Sequence, residues 1–187
     1  TAAATPGYKA WYPASLYGEG TPALPATQEY TAGNIKNSPM YAGSSTESLS
    51  FKNLCGIIRL NVSTTQSDKK VRRIILSADQ GMSGTISNAA TLASDGYIAA
   101  VTGTAGVMLD CGESGVAIGT EATAFHFAAP ANTYTGLKIT VITTDGLSQT
   151  RTLKSDRSIA VDRRSIADVT IPFNSIDYGG GLVQHWP

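Results

Sequence analysis

This chain is poor in charge and poor in the side chains that usually do chemistry. Only 15% of its 187 residues are Asp, Glu, Lys or Arg, and fourteen basic residues balance fourteen acidic ones. With zero formal net charge and no basic stripe to follow a phosphate backbone, nucleic acid is not an expected partner. Histidine occurs twice, at His126 and His185, and no His-x-x-x-His pair exists. No grouping of Cys, His and carboxylates has metal-site spacing, so neither a metal nor a cofactor is expected. Ser83 and Ser114 lack the Gly-x-Ser-x-Gly elbow, and Ser67 with Lys70 matches Ser-x-x-Lys without any companion motif. Walker, dinucleotide-binding and EF-hand patterns are missing too. The expectation is a protein that is not an enzyme. No apolar run is long enough to span a bilayer as a helix. The 42% apolar content, set against so little charge, is the opposite of a disordered composition.

What the chain does have is Ala, Thr, Ser and Gly in quantity, with Thr, Val and Ile recurring in short alternating segments. Amphipathic helical runs are hard to find. Leu49 and Phe51 alternate with polar neighbours, the phase slips at Lys52-Asn53, and Leu54, Ile58, Leu60 and Val62 then share a face with Gly56. Period-two alternation predicts a strand, and the slip predicts a β-bulge within it. Cys55 and Ile57 on its second face make it a central strand. The run 71–78 follows, with Ile74 and Leu76 facing one side and Val71 and Ile75 the other. Residues 84–88, 97–101, 107–111 and 125–129 add further strands, and Pro130 stops the last of these. Leu137, Ile139 and Val141 alternate up to Thr144, Asp145-Gly146 predicts a two-residue type I′ hairpin turn, and a polar strand returns over 148–153. Val169, Ile171 and Phe173 are in phase over 166–173. Seven to nine short strands separated by turn signals predict an all-β, two-sheet sandwich over residues 49–173.

Residues 1–48 differ in texture. Tyr8, Trp11, Tyr12, Tyr17, Tyr30 and Tyr41 crowd the aromatics there, and Pro6, Pro13, Pro22, Pro25 and Pro39 break up any ladder. This is an irregular Pro/Tyr-rich segment of short extended pieces, read as the end of a preceding domain, with 43–46 as a linker. Its aromatics either pack on the sandwich or form a glycan-stacking platform, for which Trp11, Tyr12 and Tyr17 are the candidates. Residues 174–187, with three consecutive glycines, read as a flexible tail or the start of a further module. Cys55 and Cys111 have two open readings: an inter-strand disulfide in an oxidising compartment, or two buried thiols acting as small apolar side chains. Asp110, Glu113 and Asp145 have two readings, a weakly held ion or, as is usual for loop carboxylates, solvated turns. The pairs Arg72-Arg73 and Arg163-Arg164 are either sites for an Arg-specific protease or charges that keep strand ends soluble.

The segments WYPASLY, TPALPATQEY, NSPMYA, LSFKNLCGIIRLNV, KVRRIILSADQGMSG, VMLDCGE and FHFAAPANTYTGLKITVITTDG follow one another in order. In these the chain resembles the fimbrillin-like surface proteins of Bacteroidetes, over nearly all of residues 8–173. The resemblance implies a transthyretin-like Greek-key β-sandwich exported as a lipoprotein to the outer membrane or a fimbria. It also implies adhesion or pilus assembly, in which one subunit's strand completes the sheet of the next. Expected partners are other fimbrial subunits, host or bacterial surface ligands, and glycans. Membrane association is expected only through a lipid anchor that this chain does not contain.

Overall fold

The computed structural model describes residues 7–18, 21–36, 38–86, 91–93, 96–98, 101–173 and 184–185. Its principal strands are β1 (Tyr8–Tyr12), β2 (Thr27–Thr31), β3 (Met40–Ser44), β4 (Cys55–Ser63), β5 (Lys70–Ser77), β6 (Ser83–Ile86), β7 (Val101–Thr104), β8 (Gly106–Asp110), β9 (Thr123–Pro130), β10 (Lys138–Thr143), β11 (Ser148–Thr152) and β12 (Ile166–Pro172). Among the described residues the only helical element is a 3-10 turn at Ala14–Leu16.

The stretch with the clearest alternation lies at the centre. β4 is the middle strand of a three-stranded sheet, antiparallel to β9 and parallel to β12. A second sheet runs β11-β10-β5-β8-β2, with Asn34–Ile35 beyond β2. Ile58, Leu60 and Val62 of β4, Phe125 and Phe127 of β9, and Val169 and Ile171 of β12 point inward from the first sheet. They meet Val71, Ile74, Leu76, Val107, Leu109, Ile139 and Val141 of the second in one core. This is an all-β sandwich, as the turn spacing predicted. Each fully buried Leu, Ile or Phe contributes about 1.5–3 kcal/mol of transfer free energy, which makes this layer the main source of stability.

The phase slip at Lys52-Asn53 turns out to be a change of partner rather than a bulge. Lys52–Asn53 pair with Tyr41 and Met40 of β3, the Leu54 amide donates to the Pro39 carbonyl at 2.9 Å, and β4 then enters the sandwich. A register shift does occur, one strand further on. Against β10, Arg73 faces Ile142 whereas Val71 faces Thr143, so Arg72 is the extra residue. The shift returns Val71 to the core beside Ile74 and Leu76, correcting the expectation that it faced the other side. At the β10–β11 turn, Gly146 alone has a positive φ, of 83°. Its amide donates to the Thr143 carbonyl at 3.1 Å, while the Thr143 amide donates to Leu147 at 2.9 Å. That is a type I turn closed by a glycine bulge instead of the two-residue I′ turn.

Residues before 49 join the second layer and build a separate sheet beside the sandwich. β2 pairs in parallel with β8, and β1, β3 and Lys52–Asn53 form a small antiparallel sheet beside the sandwich. Gly43 and Ser44, expected in a linker, are the end of β3 and pair with Lys9 and Tyr8. A second apolar cluster of Leu24, Tyr41, Leu54, Cys55, Ile86 and Ala128, with Trp11 packed against it, joins this part to the sandwich. Asp95, from the expected Asp95-Gly96 turn, lies outside the described residues. So does most of the segment 174–187, of which Gln184–His185 pair in parallel with β11.

Candidate contact surfaces

The N-terminal sheet sorts its aromatics by strand parity. Along β1, Tyr8, Ala10 and Tyr12 lie on one face and Lys9 and Trp11 on the other. Trp11 stands opposite Tyr41 in register, with ring centroids 4.5 Å apart; Tyr41 belongs to the second apolar cluster and Trp11 packs against it. Tyr12 stands opposite Met40, which is itself opposite Asn53. Tyr12 meets Phe51 edge-on, at a centroid distance of 6.4 Å and an interplanar angle of 71°. Tyr8, Tyr12, Leu49 and Phe51 are 48%, 55%, 39% and 41% exposed, unusual values for such side chains. Of the three residues expected to form a stacking platform, Tyr12 is exposed and Trp11 is turned into the interior. The side chain of Tyr17 lies outside the described residues. Tyr8 and Phe51, outside that candidate set of three, are exposed with Tyr12, and the four-residue spacing of Tyr8 and Tyr12 along a strand is the signal that puts those two on one face.

The outer face of the three-stranded sheet is polar. Asp168 of β12 receives two hydrogen bonds from Arg59 of β4, Nε to Oδ1 at 2.5 Å and Nη2 to Oδ2 at 2.7 Å, and a third from Asn61 Nδ2 at 3.1 Å. Those donors hold the Asp168 carboxyl below the usual carboxylate range, and Asp168 in turn raises the pKa of Arg59. His126 of β9 is in register with Arg59. Burial, and then the Arg59 charge, lower its pKa from the ordinary imidazole value, partly opposed by Asp168. Its Nδ1 is shielded from solvent and has no hydrogen-bond partner. The cluster pins the edge strand β12 to β4, and it presents no nucleophile for the imidazole to activate. Ser83, the serine considered from sequence, is buried, with its hydroxyl 2.7 Å from Thr104 Oγ1 and donating to the Gly106 carbonyl at 2.7 Å. Among the described residues no group of three His, Cys, Asp or Glu side chains is placed to hold a metal ion.

Both cysteines are free thiols in different packing clusters. Cys55 is buried beside Leu54 and Tyr41, and Cys111 packs against the main core. In the structure both thiols are unbonded, Cys55 buried and Cys111 half-buried. Burial pushes each thiol up to about 12, with Asp110 adding to the effect at Cys111, so neither is a reactive thiolate. The arginine pairs are also placed. Arg72-Arg73 lie within β5, and Arg72 is ion-paired with Glu113. Arg163-Arg164 form a turn in which Arg164 has φ 67° and the Arg163 side chain donates to the Asn53 carbonyl at 2.9 Å.

The three-stranded sheet ends in two strand edges. In β12 the odd-numbered residues turn their backbone groups toward β4, as the Ile57 amide donating to Ser165 and the Phe173 amide donating to Ser63 mark out. The backbone groups of Asp168 and Thr170 therefore point away, to a side where no strand pairs among the described residues. At the opposite edge, the outward backbone of Ala128 in β9 is met by the Gln28 side chain.

No family model and no curated protein matches this chain. Among solved structures, a candidate cell adhesion protein from Bacteroides ovatus is similar at 13% identity and a TM-score of 0.51. The match covers 90% of this chain and 63% of the other. The likeness is one of fold. A second candidate cell adhesion protein, from Bacteroides uniformis, matches at 11% identity and a TM-score of 0.45, over 88% of this chain and 66% of the other. The chain thus spans less than two thirds of the length of the first structure. Among the described residues no helix is long and apolar enough to cross a membrane.

Proposed function

We propose that this chain is a non-enzymatic cell-surface protein that works by contact, as an adhesin. The finer reading is a fimbrial subunit, exported to the outer-membrane surface or a fimbria, with any membrane attachment made by a lipid anchor. The observation that carries the proposal is the edge of β12, where among the described residues no strand pairs with the backbone groups of Asp168 and Thr170 and the Arg151 side chain meets only the Pro172 carbonyl. A free edge can take an added strand, with main-chain hydrogen bonds supplying affinity. Support for adhesion comes from the fold likeness to the Bacteroides ovatus protein. Asp168 and Pro172 on β12 are the kinds of side chain that blunt an edge against indiscriminate pairing, which suits an edge kept for a specific partner.

The fluorescently labelled chain should bind whole bacterial or host cells saturably in flow cytometry, with unlabelled chain competing. Binding no greater than that of albumin would remove the adhesin reading. For the fimbrial reading, concentrated protein should form oligomers that survive unheated SDS. A strictly monomeric chain at every concentration would count against it. A second reading, a glycan-binding accessory lipoprotein, is favoured by the exposed Tyr12 and Phe51 rings.

A further inference from the structure

We infer that the exposed aromatic face of the N-terminal sheet binds an uncharged oligosaccharide. This rests on the contact-protein reading above and names the ligand class for one of its surfaces.

The face carries Tyr8, Ala10 and Tyr12 of β1, Met40, the buried Ala42 and Ser44 of β3, and Asn53, with Phe51 against Tyr12. None of these side chains is charged. Lys9 and Lys52 project from the other face by strand alternation, each in register with a residue of that face, Gly43 and Tyr41 respectively. An anionic membrane or an acidic polymer would be met by free Lys and Arg among the rings; among the described residues of this face there are none, and the Arg163 guanidinium at Asn53 is taken up by that residue's backbone carbonyl. Charge complementarity therefore points to a neutral ligand.

Area argues against a second protein. At about 200 Å² per large side chain, the exposed parts of Tyr8, Tyr12, Leu49 and Phe51 amount to roughly 400 Å². That is about half of the ~800 Å² that each partner contributes to a stable protein interface. It is, however, the size of the largest apolar patch on a typical monomer, which is often functional.

The arrangement suits sugar rings. Tyr8 and Tyr12 are four residues apart on one strand, a span of about 13 Å at about 3.3 Å per residue. Ala10 between them is half-buried and Ala42 beside it is fully buried, so the accessible strip follows the edge strand β1, long enough for several linked sugars and too long for one. Aromatic faces carry negative quadrupole charge and attract the weakly positive C–H face of a pyranose. The edge-on meeting of Tyr12 and Phe51 leaves one of the two rings with both faces clear of the other. The tyrosine hydroxyls and the Ser44 hydroxyl, which lies 3.1 Å from Thr46 Oγ1, can bond sugar hydroxyls.

The test is calorimetric titration of the full chain with neutral oligosaccharides of two to six units, of gluco-, manno-, xylo- and N-acetylglucosamine type. At least one series should bind, with affinity rising with length up to the span of the strip. Tyr12→Ala and Phe51→Ala should each weaken that binding tenfold or more, while circular dichroism and tryptophan fluorescence stay at the native values. Failure of every neutral series to bind, or binding that both substitutions leave unchanged, would overturn the inference. Cell binding by the double variant separates this outcome from the broader proposal. A variant that has lost glycan binding but still adheres leaves the contact role standing on other surfaces. A wild-type chain that binds neither glycans nor cells removes both.

Discussion

The side-chain amide of Gln28 pairs with the backbone of Ala128 as a strand would. Its Nε2 donates to the Ala128 carbonyl at 2.9 Å, and its Oε1 accepts from the Ala128 amide at 2.9 Å. Gln28 sits on β2 in one sheet and Ala128 on β9 in the other, so one buried side chain both seals an edge and ties the two layers together. Replacing it by alanine leaves a buried donor and a buried acceptor unpaired, at a cost of about 1–3 kcal/mol for each group. Urea unfolding of Gln28→Ala should show a lowered midpoint with an unchanged slope. Gln28→Glu, which keeps the acceptor but not the donor, should be less stable than wild type as well. An unchanged midpoint in both would show that solvent replaces the amide without penalty.

The histidine on the outer sheet face sets a pH dependence. His126 has a folded-state pKa below its ordinary value, so the unfolded chain binds its proton more readily than the folded one. The associated stability is full above the unfolded imidazole pKa of about 6.5 and is lost as pH falls through that value toward the folded one. Asp168 acts in the same sense at lower pH. Its depressed pKa contributes stability above the ordinary carboxylate value, and that contribution goes as pH falls through the folded value. Melting temperature should therefore decline from pH 7 to pH 5, and His126→Gln should flatten that decline. A slope of opposite sign, or one that His126→Gln leaves intact, would contradict this assignment.

The thiols offer a chemical check. Alkylation of the unfolded chain without reductant should add two groups, since Cys55 and Cys111 are both free. In the native state Cys55 should resist modification, being buried and with its pKa pushed up to about 12. A native mass two units low, with no alkylation after unfolding, would restore the disulfide.

Gly56 lies where the chain before β12 crosses β4. A Cβ there would come within 2.2 Å of the Asp162 carbonyl oxygen and 2.6 Å of Val161 Cγ1. The first of these is backbone and cannot rotate away. Gly56→Ala should cost at least about 1–3 kcal/mol through overpacking, read as a drop in melting temperature. Gly112→Ala makes a useful contrast. Space is open there, and the cost arises only from its φ of 77°.

Much of the sandwich was legible because alternation is a local signal. Ile58, Leu60 and Val62, Phe125 and Phe127, and Val169 and Ile171 all sort to the face their period dictates. The misreadings arose where a non-local partner decides the outcome. Lys52-Asn53 break phase because β3 claims them before β4 joins the sandwich, and no local pattern distinguishes that from a bulge. The real bulge, at Arg72, is fixed by how β10 and β5 fit together. Gln28, in a segment that reads as polar and irregular, gains its role only when β2 lies in parallel beside β8. At the candidate site, a cluster of aromatics was visible, but its inward and outward members depended on pairing with β3. That pairing turns Trp11 to the interior and leaves Tyr8, Tyr12 and Phe51 outside.

The contact role is most directly tested by retention under flow. Beads carrying the native chain, the heat-unfolded chain or albumin would be passed over immobilised bacterial and host cells. The native beads should be held, the other two should wash off, and soluble native chain should release the held beads. Equal retention of all three, or release that soluble chain does not promote, would contradict a folded surface that acts by specific contact.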